Sequence, residues 1–180
     1  MGSRIWFAAA ALWGFAEATL FFIVPDVILS AIGLKRGARA AAAGSVCAAL
    51  GAGLGGAAMF LWSAHDPVAA RHAVLAVPAV SEAMAQAAWA AMDANGWASA
   101  TLSGPLSRTP FKVYAVLAPQ AGANVFAFAA ASVLLRLPRF LIVGVGAALL
   151  RRWLGERLTL SWLAAAWVVF YIGFFALTPG

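Results

Sequence analysis

The sequence has few charged residues and a single cysteine. Asp, Glu, Lys and Arg make up 10% of its 180 residues, whereas soluble domains contain about 25%. Hydrophobic residues make up 64%, and the mean hydropathy is +0.92. This composition excludes an ordinary soluble protein and predicts an integral membrane protein with one domain over residues 1–180. The lone Cys47 excludes an intrachain disulfide, so cysteine usage does not identify the compartment.

Residue sets that carry enzyme chemistry are also scarce. His65 and His72 are seven residues apart with no acid at ligand spacing, which is typical of solvated loop histidines. Gly51, Gly53 and Gly56 formally match a dinucleotide-binding motif, but no strand precedes them and their flanks are apolar. We therefore expect no enzyme activity, no cofactor and no metal. The net charge of +6 lies in or beside apolar segments, which favours anionic lipid over nucleic acid as its partner.

Long apolar runs are abundant, and the first one is broken. Residues 5–34 would form a helix of about 45 Å, well beyond the ~30 Å hydrocarbon core. Pro25 predicts a break near residues 24–26. Two arrangements are open: a span followed by a short interfacial helix, or a re-entrant hairpin that enters and leaves on one face. Basic residues at both ends of the run favour the hairpin.

The next two segments differ in polarity. Residues 40–63 predict a transmembrane helix in which Gly44, Gly51 and Gly55 allow close helix packing. Residues 65–96 form the most polar stretch, which indicates a non-cytoplasmic segment with a surface helix at residues 78–92.

A second broken unit follows at residues 97–121. Its arms, residues 97–103 and 111–118, are too short to cross a membrane, and residues 104–110 between them contain two prolines. Irregular backbone at membrane depth must be buried in protein or line a cavity. We therefore predict a second re-entrant hairpin from the opposite side. Two transmembrane helices complete the chain: residues 124–150, kinked at Pro138, and residues 160–177.

These segments predict an all-α integral membrane protein with two opposed re-entrant helical hairpins and about three transmembrane helices. Each broken unit precedes a full crossing, and the two units begin on opposite faces. Paired broken segments of this kind are typical of inverted-repeat transporters.

Ionisable residues within the predicted membrane depth are the candidate site. Two acids face four bases, so internal pairing leaves about two positive charges in an apolar setting. A phosphate headgroup would balance them, because guanidinium groups bind phosphate oxygens in pairs, and the acids would then serve as proton acceptors. Structural ion pairs and side chains that extend to the interface are the alternative. The six residues are Glu17, Asp26, Arg108, Lys112, Arg136 and Arg139.

Two stretches resemble a known family. WGFAEATLFFIVPDVILSAIGL is similar to the N-terminal half of the DedA (SNARE-associated, VTT-domain) family. TPFKVYAVLAPQAGANVFAFAAASVLLRLPRFLIVGVGAALL resembles its YqaA-like branch, and the resemblance covers about residues 8–155. It implies two opposed re-entrant hairpins and the movement of phosphate-bearing lipids between leaflets. It also implies functional acids at Glu17 and Asp26, and functional bases at Lys112, Arg136, Arg139 and Arg108.

Residues and resemblance together predict a small multi-pass lipid transporter, or flippase, of the bacterial inner membrane. We expect proton coupling, membrane lipids as partners and assembly as a homo-oligomer. A small-anion or ion transporter would use the same cationic site without lipid access from the side. A structural or assembly membrane protein without transport is the remaining alternative.

Overall fold

The computed structural model describes residues 3–104, 107 and 109–177, and this part of the chain is helical, without strands. The predicted all-α class is therefore confirmed. The helices are α1 (Ser3–Ala18), α2 (Asp26–His65), α3 (Pro67–Leu75), α4 (Glu82–Ser103), α5 (Phe111–Leu117), α6 (Val125–Leu154) and α7 (Leu160–Leu177), with a 3-10 turn at Gly155–Arg157.

Three helical segments in the described residues are long and apolar enough to cross a membrane. They are Asp26–His65, Val125–Arg157 and Leu160–Leu177. Their length and composition indicate a membrane protein. The last of them is largely exposed to its surroundings, as expected for a helix that faces lipid.

Two interruptions shape the first third of the chain. Helix α1 ends at Ala18 and α2 begins at Asp26, so the predicted break near Pro25 is confirmed, and residues 19–25 are called the first break below. Gly37 then interrupts α2 with φ 81° and ψ 178°, a conformation that glycine adopts at little cost. It divides α2 into an N-terminal arm, residues 26–36, and a C-terminal arm, residues 38–65.

Helix α1 packs against the C-terminal arm of α2 in the same direction. Gly51 faces the backbone of Ala11, and Gly55 faces the backbone of Phe15. A Cβ atom on Gly51 would lie 1.9 Å from the carbonyl oxygen of Ala11, so this contact requires glycine. Gly44 instead faces the side chain of Ile32, which places the two arms of α2 against each other.

Helix α6 runs antiparallel to the C-terminal arm of α2. The Ser45 hydroxyl donates to the Phe140 carbonyl at 2.9 Å, and the Ser132 hydroxyl donates to the Ala52 carbonyl at 3.4 Å. The contact position thus moves forward along α2 as it moves backward along α6, as in two antiparallel helices. Pro138 lies inside α6, and the helix continues through it to Leu154.

The segment that follows α2 contains one helix that the sequence did not predict. Helix α3 begins after Asp66, whose side chain accepts from the Ala69 amide. The predicted surface helix at residues 78–92 begins instead at Glu82, because Ser81 caps it. Helix α4 then continues past Gly96, where φ is 76°. Both predicted short arms are helical, as the end of α4 and as α5.

Candidate functional site

Two ion pairs connect α6 to the first break. Arg136 pairs with Glu17 in the last turn of α1, and Arg139 pairs with Asp26 in the first turn of α2. The arginines are three residues apart and therefore lie on one side of α6. The pairs thus bind this helix to both ends of the first break.

The two pairs differ in burial. The side chains of Arg136 and Glu17 are 11% and 14% exposed, so both partners are nearly enclosed. Asp26 is 4% exposed, whereas Arg139 is 57% exposed and reaches the surface of the protein. Removing one partner of a buried pair leaves an uncompensated charge, which is strongly destabilising.

The arginines also use different edges of their guanidinium groups. Arg139 donates from both Nε and Nη2 to Asp26 Oδ2, with the Nε bond at 2.9 Å. Arg136 donates to Glu17 through Nη1. Its Nε and Nη2 atoms are buried and have no hydrogen-bond partner among the described residues, and the same is true of Asp26 Oδ1. Nε and Nη2 form the edge of the guanidinium group that binds two oxygens of a phosphate or carboxylate.

Helix α5 adds a cation and a ring to the site. Lys112 is buried, and its Nζ atom donates to the carbonyl oxygen of Phe21 in the first break at 2.6 Å. The ring centroid of Phe111 lies 4.7 Å from Cζ of Arg136, a cation–π arrangement. Residues from opposite halves of the chain therefore meet at this point.

A cavity of about 1030 Å³ lies beside these groups. Among the described residues, its charged lining consists of Glu17, Lys112, Arg136 and Arg139, whereas α7 contributes an apolar wall that includes Phe170 and Phe174. Its volume is slightly above the ~300–1,000 Å³ typical of ligand sites. A cavity with a charged side and an apolar wall suits a ligand that is itself amphipathic.

Helix α7 contacts the first break and the N-terminal arm of α2 through one stripe of aromatic residues. The Tyr171 hydroxyl accepts from the Val24 amide at 2.8 Å, and Trp167 Nε1 donates to the Ser30 hydroxyl at 3.0 Å. Phe175 packs on Phe22, with ring centroids 5.7 Å apart. Sequence reasoning treated residues 160–177 as an ordinary span. The four-residue spacing of these aromatics was the signal that could have identified a packed face.

The structure brings five of the six predicted site residues together: Glu17, Asp26, Lys112, Arg136 and Arg139. Arg108 lies outside the described residues. The five carry three positive and two negative formal charges. The predicted packing glycines Gly44, Gly51 and Gly55 lie apart from them, on the C-terminal arm of α2.

No protein-family model, curated protein or solved structure matches this chain.

Proposed function

We propose that this protein is a small multi-pass transporter that moves a phosphate-bearing lipid between the leaflets of a bacterial inner membrane. The observation that carries the proposal is the unpaired Nε/Nη2 edge of Arg136 beside a large cavity with an apolar wall. Phosphate oxygens match that edge, and acyl chains match the wall. A soluble anion would bind the same edge but would gain nothing from the α7 side of the cavity.

The helix directions support the topology that this function needs. Helix α1 runs parallel to the C-terminal arm of α2, so residues 26–36 between them must return towards the start of α1. We propose that helix α1 and residues 26–36 are the two arms of a re-entrant hairpin with both ends on one face. Basic residues mark those ends, which favours the cytoplasmic face.

The second broken unit points in the opposite direction to the first unit. The Ser63 hydroxyl donates to the Val116 carbonyl at 2.5 Å, and Gly56 faces the Phe111 ring. Helix α5 is therefore parallel to the C-terminal arm of α2 and antiparallel to α6. Two broken hairpins of opposite sense, each followed by a long helix, are the arrangement of inverted-repeat transporters, whose substrate sites lie between the repeats.

The buried acids suggest how transport is coupled. Glu17 pairs with Arg136, and a proton on Glu17 would weaken that ion pair and leave the charge of Arg136 to be balanced by a phosphate at its Nε/Nη2 edge. Asp26 Oδ1 is a second buried oxygen without a partner among the described residues. We therefore propose that Glu17 takes up a proton when the lipid phosphate binds the Nε/Nη2 edge of Arg136, so that the phosphate takes over from Glu17 as the anion that balances this arginine.

Reconstitution tests this function directly. Proteoliposomes would receive phosphatidic acid with a fluorophore on its acyl chain, and dithionite would quench the outer leaflet. We expect faster loss of the protected signal than in protein-free liposomes, and no acceleration for glucosylceramide, which lacks phosphate. Uptake of inorganic phosphate without lipid movement would indicate the small-anion transporter. Inactivity towards both, with folded protein, would indicate a structural protein.

A further inference from the structure

Lys112 occupies an unusual position for a cation. It is 2% exposed, whereas Lys35, the other lysine in the chain, is exposed. A charge at bilayer depth is energetically costly unless a partner compensates it. Both acids at the site already pair with arginines. The partner of Lys112 is a neutral carbonyl, that of Phe21, which occupies one of the three ammonium donors.

This hydrogen bond joins the two halves of the chain. Phe21 lies in the first break, and Lys112 lies at the start of α5. The other hydrogen bonds described for residues 21–24 of the break come from its own hairpin or from α7. The Trp13 indole donates to the Ile23 carbonyl at 3.0 Å, and the Val24 amide donates to Tyr171. Among the described residues, the bond from Lys112 is the one side-chain hydrogen bond between the first break and α5.

We propose that Lys112 is a latch that the substrate releases. Its ammonium group binds the Phe21 carbonyl. When substrate binds, the ammonium group transfers to the anionic group of the substrate, so that the first break separates from α5. Lys112 and Arg136 line the same cavity, so one phosphate within reach of both is geometrically reasonable. The ammonium group should prefer an ionised phosphate oxygen to a neutral carbonyl oxygen, because two opposite charges attract each other strongly in a medium of low dielectric constant. The lysine stem is flexible enough to make the exchange.

The latch rests on the proposed function for the identity of its ligand, but part of it can be tested without lipid. Spin labels at Leu20→Cys and Leu102→Cys, in a Cys47→Ser background, would report the distance between the first break and the end of α4. Leu20 and Leu102 are 43% and 57% exposed and do not line the cavity, so labels should be tolerated. The protein would be held in maltoside detergent, which carries no phosphate.

Without lipid, we expect Lys112→Met to shift the distance distribution to longer and broader values than the unsubstituted protein shows. Lys35→Met is the matched control and should cause no shift. An unchanged distribution in Lys112→Met would overturn the latch, whatever the protein transports. If Lys112→Met does not fold, the lipid titration of the unsubstituted protein decides the question.

With phosphatidic acid added, the unsubstituted protein should shift towards the distribution of Lys112→Met, and glucosylceramide should cause no shift. Native mass spectrometry on the same samples would count bound lipids. Bound phosphatidic acid without a shift would overturn the latch and leave the proposed function standing. Absence of binding would overturn the proposed function and, with it, substrate release.

Discussion

Arg136→Lys is the substitution that tests the lipid site most sharply. Lysine retains the positive charge that faces Glu17, so the buried ion pair can persist. It removes the Nε/Nη2 edge, which the structure leaves without a partner among the described residues. A lysine ammonium acts as a point charge and cannot reproduce two parallel hydrogen bonds.

The expected loss follows from the hydrogen bonds removed. A hydrogen bond to a charged group contributes about 1.5–3 kcal/mol. Losing one of the two phosphate bonds should therefore weaken lipid binding by roughly 10- to 150-fold, at ~1.4 kcal/mol per tenfold. Arg139→Lys is the matched control, because the same edge of Arg139 is already occupied by Asp26 and its side chain is 57% exposed. Because Asp26 already uses that edge, Arg139→Lys removes no phosphate bond, and this variant should lose less than about fivefold in lipid affinity, or ~1 kcal/mol.

Titration of phosphatidic acid into each variant, read by native mass spectrometry or microscale thermophoresis, measures the two affinities. Thermal unfolding in detergent checks that both variants retain their fold. Equal losses in the two variants would refute the assignment of the phosphate to the free edge of Arg136. An unchanged affinity in Arg136→Lys would remove Arg136 from the lipid site altogether.

Three further predictions concern the fold, the coupling and the topology. Gly51→Ala should lower the free energy of unfolding by about 1–3 kcal/mol, because the new Cβ atom would overlap a backbone oxygen. Gly146→Ala is the control and should not lower it, because its Cβ atom would meet nothing within 4 Å. Equal stability of the two variants would contradict the α1–α2 contact. Glu17→Gln should leave lipid flipping insensitive to an imposed pH gradient, and a flipping rate that still follows the gradient would exclude this acid from coupling. Single cysteines at Arg4 and Lys35 in a Cys47→Ser background should label from the same side of spheroplasts, and opposite sides would make the first unit a span.

Much of the local structure was predictable because proline and segment length act locally. The break at Pro25 and the two short arms beside residues 104–110 follow from chain geometry alone. The start of α4 was misjudged by four residues, and α3 was missed. Both depend on single capping side chains, Ser81 and Asp66, within an alanine-rich stretch whose hydrophobic periodicity is weak.

The pairing of charges was less accessible to sequence reasoning. That Arg136 and Arg139 share a face follows from their spacing on one helix. Which acid each one meets depends on how α1, α2 and α6 pack, and this is determined by glycine and serine contacts such as Ser45 to Phe140. The sequence therefore predicted the same role, phosphate binding, for both arginines. The structure separates them, because Asp26 occupies the Nε/Nη2 edge of Arg139, whereas the same edge of Arg136 has no partner among the described residues.

The first break is what makes this arrangement possible. In a continuous helix, Glu17 and Asp26 would lie nine residues, or ~13 Å, apart along the axis. Arg136 and Arg139 are separated by only ~4.5 Å along α6, so a straight helix could not present both acids to both arginines. The chain turns between the acids and brings them to neighbouring positions, where each meets one arginine. The turn that prevents residues 5–34 from forming one long helix is therefore also the turn that assembles the site, and it places the carbonyl of Phe21 beside Lys112.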